Sequence, residues 1–185
     1  MDALGPFHPQ IVHTPIALLV FSAFFAIVGR LFDREWIRRT SVLLLVFGWL
    51  GSWVAVKSGG PAHRVPEHKQ GVPEEAIDGH AEVGRYTMWA AGAAVAAYAL
   101  TTRLTGGAAS AVTALALLLQ IAAAVLVGVT GLRGGRLTYE YGANVRIGGV
   151  LVKNPGARGE ERGVPADTSS AGAGEQGENV EKPRP

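Results

Sequence analysis

Apolar positions along this chain fall in four long blocks, without the three-and-four spacing of a helix that faces water. Pro15 to Leu31 reads PIALLVFSAFFAIVGRL, and Thr40 to Val56 reads TSVLLLVFGWLGSWVAV. Tyr86 to Thr102 reads YTMWAAGAAVAAYALTT, and Ala108 to Leu132 reads AASAVTALALLLQIAAAVLVGVTGL. Each runs for about 17–25 residues, the length that crosses a hydrocarbon core roughly 30 Å thick. A soluble four-helix bundle carries polar residues on its outward faces at every turn, and these blocks carry almost none. The pattern predicts an all-α membrane protein. Its four transmembrane helices, at about 15–32, 40–57, 83–103 and 108–132, form an up-down-up-down bundle.

Between the blocks the punctuation changes. The second connection, KSGGPAHRVPEHKQGVPEEAIDGHAEVGR, is rich in Gly and Pro, and its Asp78-Gly79 pair signals a turn just before the third helix. After the fourth block comes GLRGGRLTYEYGANVRIGGVLV. There Leu137, Tyr139 and Tyr141 alternate with Thr138 and Glu140, which predicts a short strand-like segment or hairpin. Extended, this stretch would put those three residues on one side as an apolar lid over the bundle mouth. From Asn154 on, the composition shifts to Gly, Glu, Ser, Pro and Ala, too poor in large apolar groups to order itself. The expected division is therefore a transmembrane domain at 1–153 and a disordered tail at 154–185.

Charge sets the orientation. Arg30, Arg34, Arg38 and Arg39 crowd the first connection, while the residues before the first helix have no Lys or Arg. The positive-inside rule then puts that connection in the cytoplasm and both termini outside. The missing positive n-region also argues against a cleaved signal peptide. The net charge of +2 gives no footprint for nucleic acid. The absence of cysteine excludes disulfides, iron–sulfur ligation, thiolate zinc sites and covalently attached haem c.

Small residues on the second helix (Gly48, Gly51, Ser52, Ala55) and throughout the third permit the close backbone approach on which helix association in lipid depends. One polar residue, Gln120, lies deep within a block and reads as interhelical glue. The five histidines are distributed with more bias. His8 and His13 precede the first helix, His63 and His68 lie in the second connection, and His80 opens the third helix. In an up-down-up-down bundle all five gather at one membrane face, with Arg85 and the GGRLTYEYG segment.

These residues carry a resemblance. HPQIVHTPIALL at the first helix, a lone histidine opening the third, and GLRGGRLTYEYGANV after the fourth together resemble a bacterial family of four-helix membrane domains of unknown function. Its pattern is His-Pro, then His-x-Pro, then Gly-Gly-x-Leu-x-Tyr-x-x-Gly, with Thr14 and Thr138 departing from larger apolar residues in relatives. The resemblance covers roughly residues 6–150 and implies a bacterial membrane protein; with the arginine asymmetry, the expectation is a multi-pass protein of the inner membrane with N and C termini on the periplasmic side. Some relatives are joined to cytochrome-like or Rieske-like domains, which implies electron transport.

Three readings of the histidines stand side by side. His13 and His80, on diagonal helices, could ligate haem b, with Arg85, Arg133 or Arg136 pairing its propionates. His8, His13 and His80 could instead hold a metal, with Asp78 or Glu82 beside them. Or the rings could cap helices and brace loops, as Pro15 at a first helical turn would fit. No nucleophile-base order, phosphate loop or intramembrane acid pair supports catalysis or transport. The sequence thus points to a non-catalytic membrane subunit in the lipid bilayer, partnered with a respiratory or other redox complex. The alternatives are a bis-histidine haem b electron carrier and a metal-binding protein. Topology is directly testable: a reporter active only in the cytoplasm should give signal fused after Trp36 and none fused after Gly71. The reverse pattern would move the histidines to the cytoplasmic side.

Overall fold

The computed structural model describes residues 2–65, 70–152 and 154. A 3₁₀ turn at Asp2–Phe7 leads into a single helical turn, α1 (His8–Ile11), and then α2 (His13–Leu31). Three more long helices follow: α3 (Glu35–Val65), α4 (Glu74–Thr101) and α5 (Gly106–Tyr139). A two-stranded antiparallel hairpin, β1 (Arg146–Ile147) and β2 (Val150–Leu151), ends the described fold. The main pairings are α2 with α3, α3 with α4, α4 with α5, and α5 back to α2, so the four long helices form a closed square.

Each helix exceeds its apolar block. α3 continues through Gly59, Gly60 and Pro61 to Val65, and α4 starts at Glu74, where Glu74 and Glu75 favour the positive end of the helix dipole. The long second connection is therefore largely helix. Three stretches are long and apolar enough to cross a membrane, Leu4–Leu31, Glu35–Ala62 and Gly106–Tyr139. α4 is not among them, because acids and Arg85 occupy its first three turns and the rest is mostly Ala and Gly.

The strand-like expectation after the fourth helix is met, but further along the chain. GGRLTY is helical as the last turns of α5, where Thr138 Oγ1 bonds Gly134 O and Arg136 lies 3.6 Å from Glu140 one turn on. Alternation over five residues could not outweigh helical bonds already in progress. Gly142, at φ +70°, turns the chain, and Ala143 N–H donates to Leu137 O. The hairpin closes on Gly148 and Gly149, both at positive φ, as a two-residue turn with the twist of its strands requires. Residues from 155 on, expected to be without structure, lie outside the described residues.

The core is thin and made of small groups. Leu19, Leu45, Ala91, Ala94, Ala123 and Val127 pack at its centre. A Cβ at Gly48 would lie 2.8 Å from Leu19 Cδ2, and one at Gly92 would lie 2.7 Å from Trp49 Nε1. Phe21, Phe24, Phe47, Trp53 and Leu118 point outward, as side chains facing lipid should. Gly48→Val should lower stability by about 1–3 kcal/mol, the usual cost of overpacking. Gly107→Val, where the Cβ meets nothing within 4 Å, should leave the thermal melt of the detergent-solubilised protein unchanged.

Candidate functional site at the bundle mouth

Where α1, α3, α4 and α5 end together, the bundle opens into a cavity of about 580 Å³, within the usual size of small-molecule and cofactor sites. Its wall is mostly apolar or glycine, including Val12, Ile16, Gly59, Gly84, Val127 and Gly131. His8, His13, His80, Asp78, Arg85 and Tyr139 supply its titratable groups.

The histidines are positioned by their Nδ1 atoms. His80 lies in the second turn of α4, and its Nδ1–H donates to the carbonyl of Thr130 on α5 at 3.1 Å. A Cβ at Gly134 would stand 3.0 Å from His80 Cε1, so the ring lies directly on the α5 backbone. His8 Nδ1 is 2.8 Å from Ser58 Oγ. The Ser58 hydroxyl donates to Ala55 O at 2.9 Å, so its oxygen accepts and His8 Nδ1 is the donor. His13 Nδ1–H donates to Pro9 O at 2.6 Å. A carbonyl or a committed hydroxyl thus requires a proton on Nδ1 of each ring, which in a neutral imidazole leaves the lone pair on Nε2. The His8 and His80 rings meet with centroids 6.3 Å apart and planes at 86°.

The pair brought together is His8 with His80. The expected partner, His13, lines the same cavity but is exposed, as the first residue of α2. The reason is the depth of α4. It begins at Glu74, about three turns before the apolar block, so His80 sits in its second turn beside the start of α1. Of the expected arginines only Arg85 lines the cavity. Arg133 Nη1 donates to Gly79 O at 2.6 Å and ties α5 to the first turns of α4, and Arg136 lies near Glu140 on the surface. Among the described residues no three His, Asp or Glu side chains converge on one point. Backbone is described for His63, in α3, and His68 lies outside the described residues.

The segment beyond α5 does reach the mouth, though as a helix end and a turn. Leu137, Thr138, Tyr139, Ala143 and Asn144 line the cavity, while Tyr139 is 90 % exposed and covers little. What holds the segment is Gln70, which the sequence did not single out. Its side chain is buried, with Nε2–H donating to Gly142 O at 2.8 Å and Val152 O at 2.6 Å, and Oε1 accepting from Asn144 N–H at 2.8 Å. Asn154 completes the clasp, its N–H on Gln70 O and its Nδ2–H on Gly71 O, each at 2.9 Å. Asn154 therefore belongs to the folded domain, one residue past the expected boundary. A loop glutamine carries no periodicity or motif, which is why it was not legible. Gln70→Ala strands the Val152 carbonyl and the Asn144 N–H, while Gly142 O keeps the Val145 N–H, and should cost about 1–3 kcal/mol. Tyr139→Ala should leave the melt unchanged, and equal losses would mean the clasp is not what holds the mouth.

Residues 5–146 match the model of a family described as a predicted membrane protein, DUF2231. No curated protein and no solved structure matches the chain.

Proposed function

The chain belongs to DUF2231, a family of predicted membrane proteins, and we propose that it is a non-catalytic membrane module of an electron-transfer assembly. On this reading the mouth cavity holds haem b, and four helices span the bilayer with both termini and the mouth on the periplasmic side. The observation that carries the proposal is the His8–His80 pair, two rings on separate elements at the edge of one cavity. Each is oriented by an Nδ1–H donor bond that leaves the lone pair on Nε2.

The residues present fit such a group. Imidazole with a fixed Nε2 lone pair is the donor that haem iron takes from histidine. Glycines along the cavity wall leave room for a flat ring, and Gly134 in particular admits the imidazole of His80. Arg85 lines the cavity, and among the described residues no carboxylate pairs with it: the nearby Glu82 accepts instead from Tyr86 OH at 2.6 Å. A guanidinium so placed suits an acidic edge on an otherwise apolar ligand. When bound, haem b supplies one-electron transfer. The chain's own part is to orient two imidazoles, to hold a cation at the rim, and to keep bulk water from the ring with Leu137, Val12 and Ile16. α4 spans in this account because it pairs with α5 along its length and its Ala-rich face lies inside the bundle.

A visible spectrum of the detergent-purified protein decides the matter. The account expects a sharp Soret and α-band on reduction, abolished in His8→Ala and in His80→Ala and retained, with reduced loading, in His13→Ala. Loss in His13→Ala with retention in His8→Ala would restore the diagonal pair. A protein that stays colourless after haem supplementation contradicts haem binding outright.

A further inference from the structure

Exposed aromatic residues mark two levels on the outside of the bundle, and the mouth stands beyond one of them. At the arginine-rich end Phe32 and Trp36 are exposed. Toward the mouth the exposed aromatics include Trp53 on α3 and Tyr86 and Trp89 on α4. Lys57 Nζ lies 5.7 Å from the centre of the Trp53 ring, and Tyr86 OH reaches Glu82 one turn nearer the mouth. Tryptophan and tyrosine collect where hydrocarbon meets headgroups. At 1.5 Å per residue Trp36 and Trp53 are about 26 Å apart along α3, close to the roughly 30 Å of a hydrocarbon core. From Thr87 to Thr101, on the inner side of this boundary, α4 carries no charge.

The histidine pair lies outside that boundary. His80 is about 9 Å beyond Tyr86 along α4, and Ser58, which holds His8, is about 8 Å beyond Trp53 along α3. Headgroups add only about 5–8 Å on each side of the hydrocarbon. α4 itself continues to Glu74, about 18 Å beyond Tyr86. The cavity wall follows the same division. Ser52 and Thr87, next to Trp53 and Tyr86 in the chain, are buried, whereas Gly60, Asp78 and Thr138, at the helix ends, are exposed. We infer that the mouth cavity opens to water above the headgroups, so that the partner it serves is a water-soluble electron carrier and not one dissolved in the bilayer. A carrier confined to hydrocarbon meets the cavity only at its buried floor, behind packed helices. That the partner carries electrons rests on the function proposed above; where the cavity opens does not.

The chain has no cysteine, so single cysteines can carry a nitroxide in the full-length protein in lipid nanodiscs. Collisions with a charged nickel chelate then report water, and collisions with oxygen report hydrocarbon. Labels at Asp78→Cys and Thr138→Cys should collide mainly with nickel. One at Leu118→Cys, an exposed position within the apolar span, should collide mainly with oxygen, and one at Trp89→Cys should fall between. Val12→Cys, on the cavity wall, should react several-fold faster with a charged thiosulfonate confined to water than with a long-chain alkyl thiosulfonate confined to the bilayer. Neither measurement needs bound haem, so this inference and the haem reading fail separately. Labels at Asp78 and Thr138 as rich in oxygen collisions as the one at Trp89 overturn the aqueous opening. So does a Val12→Cys that reacts faster with the bilayer reagent, which would give the site a lipid-soluble partner instead.

Discussion

Everything at the mouth depends on how closely α2 and α3 approach. Lipid supplies no hydrophobic force between helices, so association has to come from packing and from satisfied polar groups. Gly48 meets Leu19, Gly51 meets Pro15, and Gly29 meets the backbone of Arg38, three contacts spread over the length of the pair. They fix the register of α2 against α3, and the register puts His8 beside Ser58. The same device works on the other side of the square, where Gly134 lets the His80 ring lie on α5. Small residues at these positions are therefore the reason two imidazoles from distant parts of the chain reach the same cavity.

Polar groups divide the bundle into three levels. At the mouth, imidazoles donate to carbonyl and hydroxyl oxygens, and a guanidinium stands at the rim. The middle is apolar, closed by Ala91, Ala94, Ala123, Leu19, Leu45 and Val127. Toward the far end, Gln120, Tyr98 and Arg30 bring a second polar group inside. Ser22, Ser52 and Thr87 also lie in the interior, and each returns its hydroxyl proton to a carbonyl of its own helix, Thr87 Oγ1 also lying 3.2 Å from Thr130 Oγ1 on α5. The apolar middle layer is what lets the two ends be chemically separate.

Much of this was legible in the sequence and some was not, for identifiable reasons. Apolar blocks revealed the helices, because lipid leaves no outward polar face to obscure them. The blocks understated helix length, since α3 and α4 extend past them through polar turns that hydropathy does not recognise. One-sided placement of His8, His13 and His80 followed from topology alone. Which two would pair did not, because that depends on the polar turns that α4 adds before its apolar block. Gly148-Gly149 between VRI and VLV carried the hairpin signal, stronger than the alternation at Leu137 to Tyr141 that drew attention first. Gln70, Ser58 and Thr130 left no trace in pattern or motif. Their roles exist only once the chain is folded, as partners for carbonyls and rings far away in sequence.

The central claim is that folding alone orients the mouth histidines, with each Nδ1–H donating to a carbonyl or hydroxyl oxygen at the edge of the cavity. The ¹⁵N spectrum of histidine-labelled protein, kept reduced and at neutral pH, reads this directly for each assigned ring. For His8 and His80 the account predicts a protonated Nδ1 and an unprotonated Nε2. A proton found on Nε2, with Nδ1 bare, would contradict it.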